Sequence, residues 1–293
     1  MKIKDLDTIA VLGLGLLGGS VGMAVNRGLG RVVRMGYSHR AITRKKALEA
    51  GAVDAICDSA AEAVKKAQLV VLASPIGTFE ALMHEIKHSL LKDAVVTDVG
   101  STKRLPVRWA RKILGSKVRF LGSHPMAGSE QRGVEFARAD LFDEALCIIT
   151  PTAQTKKETL ELVEDFWREL GMRVSTMSPI MHDRVLARIS HLPHVLAAAL
   201  VNCSDAEQLL LCGKGFLDTT RIASGPPGIW CDILMTNAGN TAAAIGRLIK
   251  ELQRMEKALV QGDDKAITKM LSEAQAKRND LVEKKMIRKE LPA

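Results

Sequence analysis

The sequence predicts an α/β fold in two parts, a mostly parallel N-terminal sheet with crossover helices followed by an all-helical C-terminal domain. Three observations predict it. Apolar strands alternate with helical segments over residues 1–176. A glycine-rich turn joins the first strand to the first helix. From Ser178-Pro179 to the end, no strand pattern recurs.

Thr8–Leu12 reads as a short apolar strand. Gly13-Leu14-Gly15-Leu16-Leu17-Gly18 follows, then a helix to about Arg27. Val32–Gly36 is a second strand. Further strands are expected at Leu69–Ala73, Ala94–Asp98, Arg119–Gly122, Leu146–Thr150 and Arg173–Thr176, most of them separated by helices. The boundary near Met177 divides the chain into 1–176 and 177–293. Ser178 is suited to cap a helix with Pro179 at its first position. His182–Cys203 is apolar on more than one face, which predicts a buried helix bent at Pro193. Asn240 is expected to cap another helix, where Ile245, Leu248, Ile249, Leu252, Met255 and Leu259 recur at helical spacing. A last helix spans roughly Asp264–Ile287.

The 293 residues are 47% hydrophobic, enough for two domains, and only 3% aromatic, so an aliphatic core is expected. No apolar run reaches the ~20 residues of a membrane span. The start MKIKDLDTIAVLG lacks a signal-peptide pattern, and a soluble cytoplasmic protein is expected. The five cysteines, Cys57, Cys147, Cys203, Cys212 and Cys231, show no C-x-x-C pair and read as buried reduced thiols. No His/Cys cluster has metal-ligand spacing. The net charge of +9 comes from scattered Lys and Arg without interleaved aromatics. That pattern suits steering of an anionic cofactor and substrate better than binding nucleic acid. The run Lys284–Lys289 reads as the solvated end of a helix.

Gly13, Gly15 and Gly18 form G-x-G-x-x-G between a strand and a helix. In a Rossmann-like domain the first glycine permits the tight turn, the second admits a pyrophosphate, and the third lets helix pack on strand. The helix N-terminus supplies amides to the phosphates. Leu16 and Leu17 in this turn, and Ser74 after the strand Leu69–Ala73, are counted with the cofactor residues. The second strand ends Gly36-Tyr37-Ser38-His39-Arg40, without the acid that accepts ribose hydroxyls at an NAD site. Ser38 with His39 or Arg40 suits a 2′-phosphate. NADP is therefore the expected cofactor, with NAD as the alternative.

Four further segments concentrate reactive side chains. They are Gly122-Ser123-His124-Pro125-Met126-Ala127-Gly128-Ser129-Glu130 after a predicted strand, Thr97-Asp98-Val99-Gly100-Ser101-Thr102-Lys103 after an adjacent one, Ser190-His191-Leu192-Pro193-His194 in the apolar helix, and Asp218-Thr219-Thr220-Arg221-Ile222-Ala223-Ser224 leading to Trp230-Cys231-Asp232. Ligands of open α/β sheets bind beyond strand carboxyl ends, where His124 is expected. Arg221, taken as buried, would need an anion.

In this order behind G-x-G-x-x-G, the segments resemble the prephenate/arogenate dehydrogenase family over nearly the whole chain. G-S-H-P-M-A-G and D-T-T-R-I-A are the specific motifs. The resemblance implies that His124 accepts the substrate ring-hydroxyl proton, and that Ser101 orients His124 near the nicotinamide. It implies that Arg221 binds the ring carboxylate, that Ser190 and His194 line the pocket, and that Trp230 lies near the side-chain keto acid. Ser129 and Glu130 would sit at the entrance, partly serving the neighbouring subunit, and Asp218 would join an ionic network with Arg221. Family members are dimers through the helical domain. The chain departs from the family at Ser224-Gly225 and Cys231. The implied reaction is oxidative decarboxylation of prephenate, or of arogenate, driven by aromatisation. The lack of an acid within Ser190–His194 leans toward prephenate. Two rivals are a hydroxyacid or 6-phosphogluconate type of dehydrogenase and a non-enzymatic redox sensor. The first would place a catalytic Lys in the second domain. The second would not need Ser101, His124 and Arg221 together.

Overall fold

The computed structural model describes residues 1–115, 118–128 and 131–287. Ser129 and Glu130, and Arg288 and Lys289 of the basic run, lie outside the described residues. By its internal contacts the chain divides into two compact units, Met1–Ala238 and Gly239–Ala293.

The first unit opens with β1 (Thr8–Leu12), α1 (Leu16–Gly28), β2 (Val33–Tyr37), α2 (Ala41–Glu49), β3 (Ala55–Ile56), α3 (Ala60–Ala63), β4 (Leu69–Leu72), α4 (Phe79–Ile86), β5 (Val95–Asp98), α5 (Arg104–Ile113) and β6 (Arg119–Phe120). Its six strands form one parallel sheet in the order β3-β2-β1-β4-β5-β6. β4 and β5 are buried along their whole length, as central parallel strands covered on both faces must be. The order reverses between β1 and β4, which opens a crevice at their carboxyl ends. The edge strand β3 has two residues, too few for a periodicity, and was not expected.

The expected strand Arg119–Gly122 is in fact two strands in different sheets. β6 ends at Phe120, and β7 (Gly122–Pro125) begins a three-stranded sheet with β8 (Leu146–Thr150) and β9 (Arg173–Thr176), in the order β7-β8-β9. Helix α6 (Lys157–Glu169) lies between β8 and β9 in sequence and buries Leu162, Val163, Phe166 and Trp167 on one stripe. The core is aliphatic as expected, and three of the ten aromatics gather here. Trp167 is fully buried with edge-on Phe142 and Phe166.

A fully buried ion pair sets the crossing between the sheets. Asp98 ends β5, and its carboxylate accepts from Lys103 Nζ, from Gly100 N at 2.9 Å and from Ser123 N at 3.1 Å. Lys103 Nζ also donates to Ser123 O at 2.6 Å. Both backbone groups of Ser123 are therefore engaged by this pair as the chain enters β7. Thr97 Oγ1 adds a bond to Leu121 O at 2.7 Å.

The helices α7 (Pro179–Leu186), α8 (Leu192–Asn202), α9 (Ala206–Leu209), α10 (Lys214–Thr220) and α11 (Pro227–Thr236) complete the unit. Ser178 caps α7 by accepting from Met181 N at 3.2 Å, with Pro179 at its first turn. Between α7 and α8 the helix continues as a π turn, Ala187–His191, just before Pro193. A bend was expected at Pro193; what the helix shows is this π turn, where proline lacks the amide that a regular turn would use. By length and composition Pro179–Asn202 is apolar enough to cross a membrane. Its buried face instead carries His182, Asp183 and His191, and Asp183 is hydrogen-bonded to α5. The expectation of a buried helix holds for that face alone. Ile189 and Leu196 on the other side are exposed in the single chain.

The second unit consists of α12 (Ala238–Val260, entered from Ala238) and α13 (Asp264–Ile287), joined by a turn at Gly262 with φ +64°. Asn240 lies inside α12 and does not cap it. Asn237 occupies the break after α11 instead, with extended-side φ of −126°. The helical spacing is as expected, but Ile249, Leu252 and Leu259 are exposed in the single chain. Cys57 and Cys147 are buried, while Cys203 and Cys231 are exposed and Cys212 is half-buried, against the expectation of five buried thiols. Cys231 lies on α11, Cys203 just past the end of α8, and Cys212 between α9 and α10.

Lys103→Met would leave Asp98 buried as an unpaired anion, and is expected to lower the unfolding free energy by ~3–5 kcal/mol. Adding Asp98→Asn should return part of that loss. Urea denaturation measures both, and a Lys103→Met protein as stable as the wild type would contradict the role assigned to the pair.

Candidate active site

The crevice beside β1 carries the glycine turn. Gly13 has φ +108°, and a Cβ there would lie 2.4 Å from Ser74 N. A Cβ on Gly18 would lie 1.8 Å from Gly13 O, so helix and turn pack at a distance only glycine allows. A Cβ on Gly15, in contrast, would meet nothing within 4 Å. That open space faces the first turn of α1, whose amides lack helical partners. Leu16 and Leu17 supply two of them. The residues fit a dinucleotide pyrophosphate. Ser74 is half-buried, with its Oγ 2.7 Å from Thr78 Oγ1.

Ser38 follows β2 and is buried, while His39 and Arg40 are exposed. Arg44, which the sequence reading overlooked, reaches back from α2 and donates to Ser38 O at 2.8 Å and to Asp58 Oδ1 at 2.8 Å. A cation one helical turn beyond the cofactor turn was the available signal.

His124 lies inside β7, paired in register with Ile148, and not in a loop beyond a strand as expected. Its side chain is only 8% exposed. Its Nδ1 is 2.9 Å from His182 Nε2, and the two rings meet edge to face. His182 Nδ1 is 2.8 Å from Asp183 Oδ1. The Asp183 carboxylate also accepts from Lys103 N at 2.7 Å and Arg104 N at 2.9 Å, so it caps the N-terminus of α5. Neither His182 nor Asp183 was expected in the site. Their only sequence signal was a His-Asp pair in the first turns of an apolar helix. Ser101 is half-buried.

Burial, together with the neighbouring His182 and Lys103, holds the His124 imidazole well below the usual histidine range. Burial also pushes His182 down, against the pull of Asp183. Burial drives the Asp98 carboxyl up and the Lys103 ammonium down, and their mutual attraction opposes both.

Next to this chain, Asn237 Nδ2 donates to Asp183 O at 2.7 Å and lies 3.2 Å from His191 Nδ1. His191 Nε2 is buried without a hydrogen-bond partner, and burial lowers its imidazole to about 4. His194 stacks on Trp230 at 3.6 Å between centroids, with its Nδ1 also buried and unpartnered. Ser190 is half-buried one residue earlier than His191. Helix α11 is tied to the sheet ends by Gly77 N donating to Asp232 Oδ2 at 3.2 Å and by Thr102 Oγ1 donating to Thr236 Oγ1 at 2.9 Å.

Arg221 was expected to be buried. It is exposed in the single chain, at the start of the short turn Arg221–Ser224, though it keeps a polar interaction. Asp218 is exposed on α10. Helix α10 ends at Thr220, so the two side chains do not share a regular helical face.

Residues 21–176 match the family model for the nucleotide-binding domain of prephenate dehydrogenase, and residues 178–273 that for its dimerization domain. The chain is 34% identical over 284 residues to the prephenate dehydrogenase of Bacillus subtilis (strain 168), covering 94% of this chain and 76% of that one. It is 30% identical over 277 residues to the cyclohexadienyl dehydrogenase of Zymomonas mobilis subsp. mobilis, covering 92% and 94%. The solved prephenate dehydrogenase from A. aeolicus, in complex with hydroxyphenyl propionate and NAD+, matches with a TM-score of 0.89 at 34% identity, over 94% of this chain and 99% of that one. With both domain models matched in order, and relatives at 34% and 30% identity covered over most of their length, this chain belongs to the prephenate dehydrogenase family.

Proposed function

We propose that the protein is a cytoplasmic, nicotinamide-dependent dehydrogenase that oxidatively decarboxylates prephenate to 4-hydroxyphenylpyruvate, or arogenate to tyrosine, in tyrosine biosynthesis. The observation that carries this reading is His124, a buried imidazole whose Nδ1 meets His182 and whose Nε2 has no hydrogen bond among the described residues. The substrate is a cyclohexadienol with a ring carboxylate, so loss of hydride and CO₂ creates an aromatic ring. His124 accepts the hydroxyl proton, as a neutral imidazole is suited to do. The bound nicotinamide supplies the hydride acceptor. Arg221 holds the ring carboxylate, Ser101 lies toward the nicotinamide, and Ser190, His194 and Trp230 wall the substrate. Ser129, Glu130 and Asp218 belong to its entrance. Residues 1–176 serve the cofactor and 177–293 the substrate and a homodimer contact. The exposed Ile249, Leu252 and Leu259 supply an apolar face for that contact. NADP is the preferred cofactor, because no acid follows β2 and Ser38, His39 and Arg40 stand there instead. The NAD+ bound to the A. aeolicus relative favours NAD as the second reading.

Production of reduced nicotinamide from prephenate, followed by absorbance, tests the activity itself. His124→Asn is expected to lose turnover by the ~10²–10⁴-fold typical of a general base while still binding cofactor and substrate. The base must be neutral to act, so activity falls as pH drops through its titration. With His124 held well below 6.5, the acid limb of kcat/KM should lie at a lower pH than an ordinary histidine gives. A limb at or above ~6.5 would assign the profile to another group.

Arg221→Gln should raise KM for the substrate by the equivalent of ~1.5–3 kcal/mol, the strength of a hydrogen bond to a charged group. Cofactor affinity should not change. A fall in cofactor binding instead would place Arg221 in another site.

Ser38→Asp should reverse the cofactor preference, since a carboxylate repels a 2′-phosphate and accepts from ribose hydroxyls. The measurement is kcat/KM with NADP and NAD in both proteins. A wild type that works as well with NAD would mean that Ser38, His39 and Arg40 form no 2′-phosphate site.

A further inference from the structure

We infer that His182 and Asp183 are positioning residues that fix the tautomer of His124, leaving its Nε2 as the one nitrogen able to accept a proton. The inference rests on the reading of His124 as the base and says how the fold prepares it.

The argument runs from the backbone outward. Asp183 is held by two amides, Lys103 N and Arg104 N, at the start of α5. An ionised carboxylate is an acceptor only. His182 Nδ1, at 2.8 Å from Asp183 Oδ1, must therefore carry its hydrogen. A neutral imidazole has one N–H, so His182 Nε2 presents a lone pair. That lone pair faces His124 Nδ1 at 2.9 Å. His124 Nδ1 must then be the donor, since the opposite assignment sets two lone pairs against each other at that distance. The single hydrogen of neutral His124 is thereby placed, and Nε2 keeps its lone pair. When Nε2 takes the substrate proton, the positive charge formed on His124 is met by His182 as acceptor. Asp183 then stabilises the pair from behind. Lys103 and Asp98 also border these rings, and His191 borders His124, so the pH response belongs to the whole cluster.

The anchoring is unusually complete. Asn237 holds Asp183 from its backbone carbonyl, and Ser178 caps the helix that carries both residues. The ring of His182 is fully buried, so water has no route to replace its bond to His124.

The test uses the full-length protein labelled with 15N at histidine. Ring 15N shifts at neutral pH, assigned to His124 by difference from His124→Asn, should show Nδ1 protonated and Nε2 unprotonated. His182→Met removes the acceptor and should lower kcat by about 10²-fold or more, toward the ~10⁴-fold penalty of a wrong tautomer, with little change in KM. His182→Gln offers a carbonyl oxygen to His124 Nδ1 and should recover much of kcat. Two results overturn the inference. One is an Nε2-protonated His124 in the wild type, a measurement that stands even if His182→Met fails to fold. The other is full kcat in His182→Met while His124→Asn is inactive. If instead His124→Asn is fully active and the wild-type shifts show the Nδ1 proton, the tautomer assignment survives and the reading of His124 as the base fails.

Discussion

The buried Asp98–Lys103 pair is the constraint on which the site depends. Asp98 closes a strand of the parallel sheet, and the pair occupies both backbone groups of Ser123, the residue before His124. The amide of the same Lys103 donates to Asp183. One residue thus fixes His124 from two directions, through its strand and through His182 and Asp183. A buried pair contributes little net stability, because desolvation offsets most of its attraction. Its consequence here is geometric. With neither partner exposed to water, the crossing from β6 to β7 has one low-energy arrangement.

That arrangement also shapes the electrostatics. Four histidines, His124, His182, His191 and His194, are gathered in a buried region next to a buried lysine. Burial disfavours protonation of each, and all four lie below the usual histidine range. Among the four, His182 is the one hydrogen-bonded to Asp183. The unpartnered Nε2 of His191 and Nδ1 of His194 mark where a polar ligand would satisfy buried nitrogens.

The helical region obeys a different rule. Its helices are apolar on more of their surface than a single chain covers, as Ile189, Leu196, Ile249 and Leu252 show. A sequence that reads as a buried helix need not be buried within its own chain, because periodicity reports how much apolar surface exists and not what covers it. The same logic corrects Arg221. A specific motif marked it as functional, but its burial could not be read from neighbours in sequence.

The sequence by itself determined the sheet of alternating strands and helices, the glycine turn, the helical second half and the identity of His124 as the candidate base. These are local properties, written in periods of 2 and 3.6 residues and in a short motif with a strict backbone requirement. Tertiary structure decided that Arg119–Pro125 divides between two sheets, that the helix before Pro193 widens into a π turn, and that His182, 58 residues away, meets the Nδ1 of His124. Those outcomes depend on which buried polar groups find partners across the fold. No local pattern records that matching, since a hydrogen bond inside a protein is set by where the chain returns and by the absence of water once it has returned.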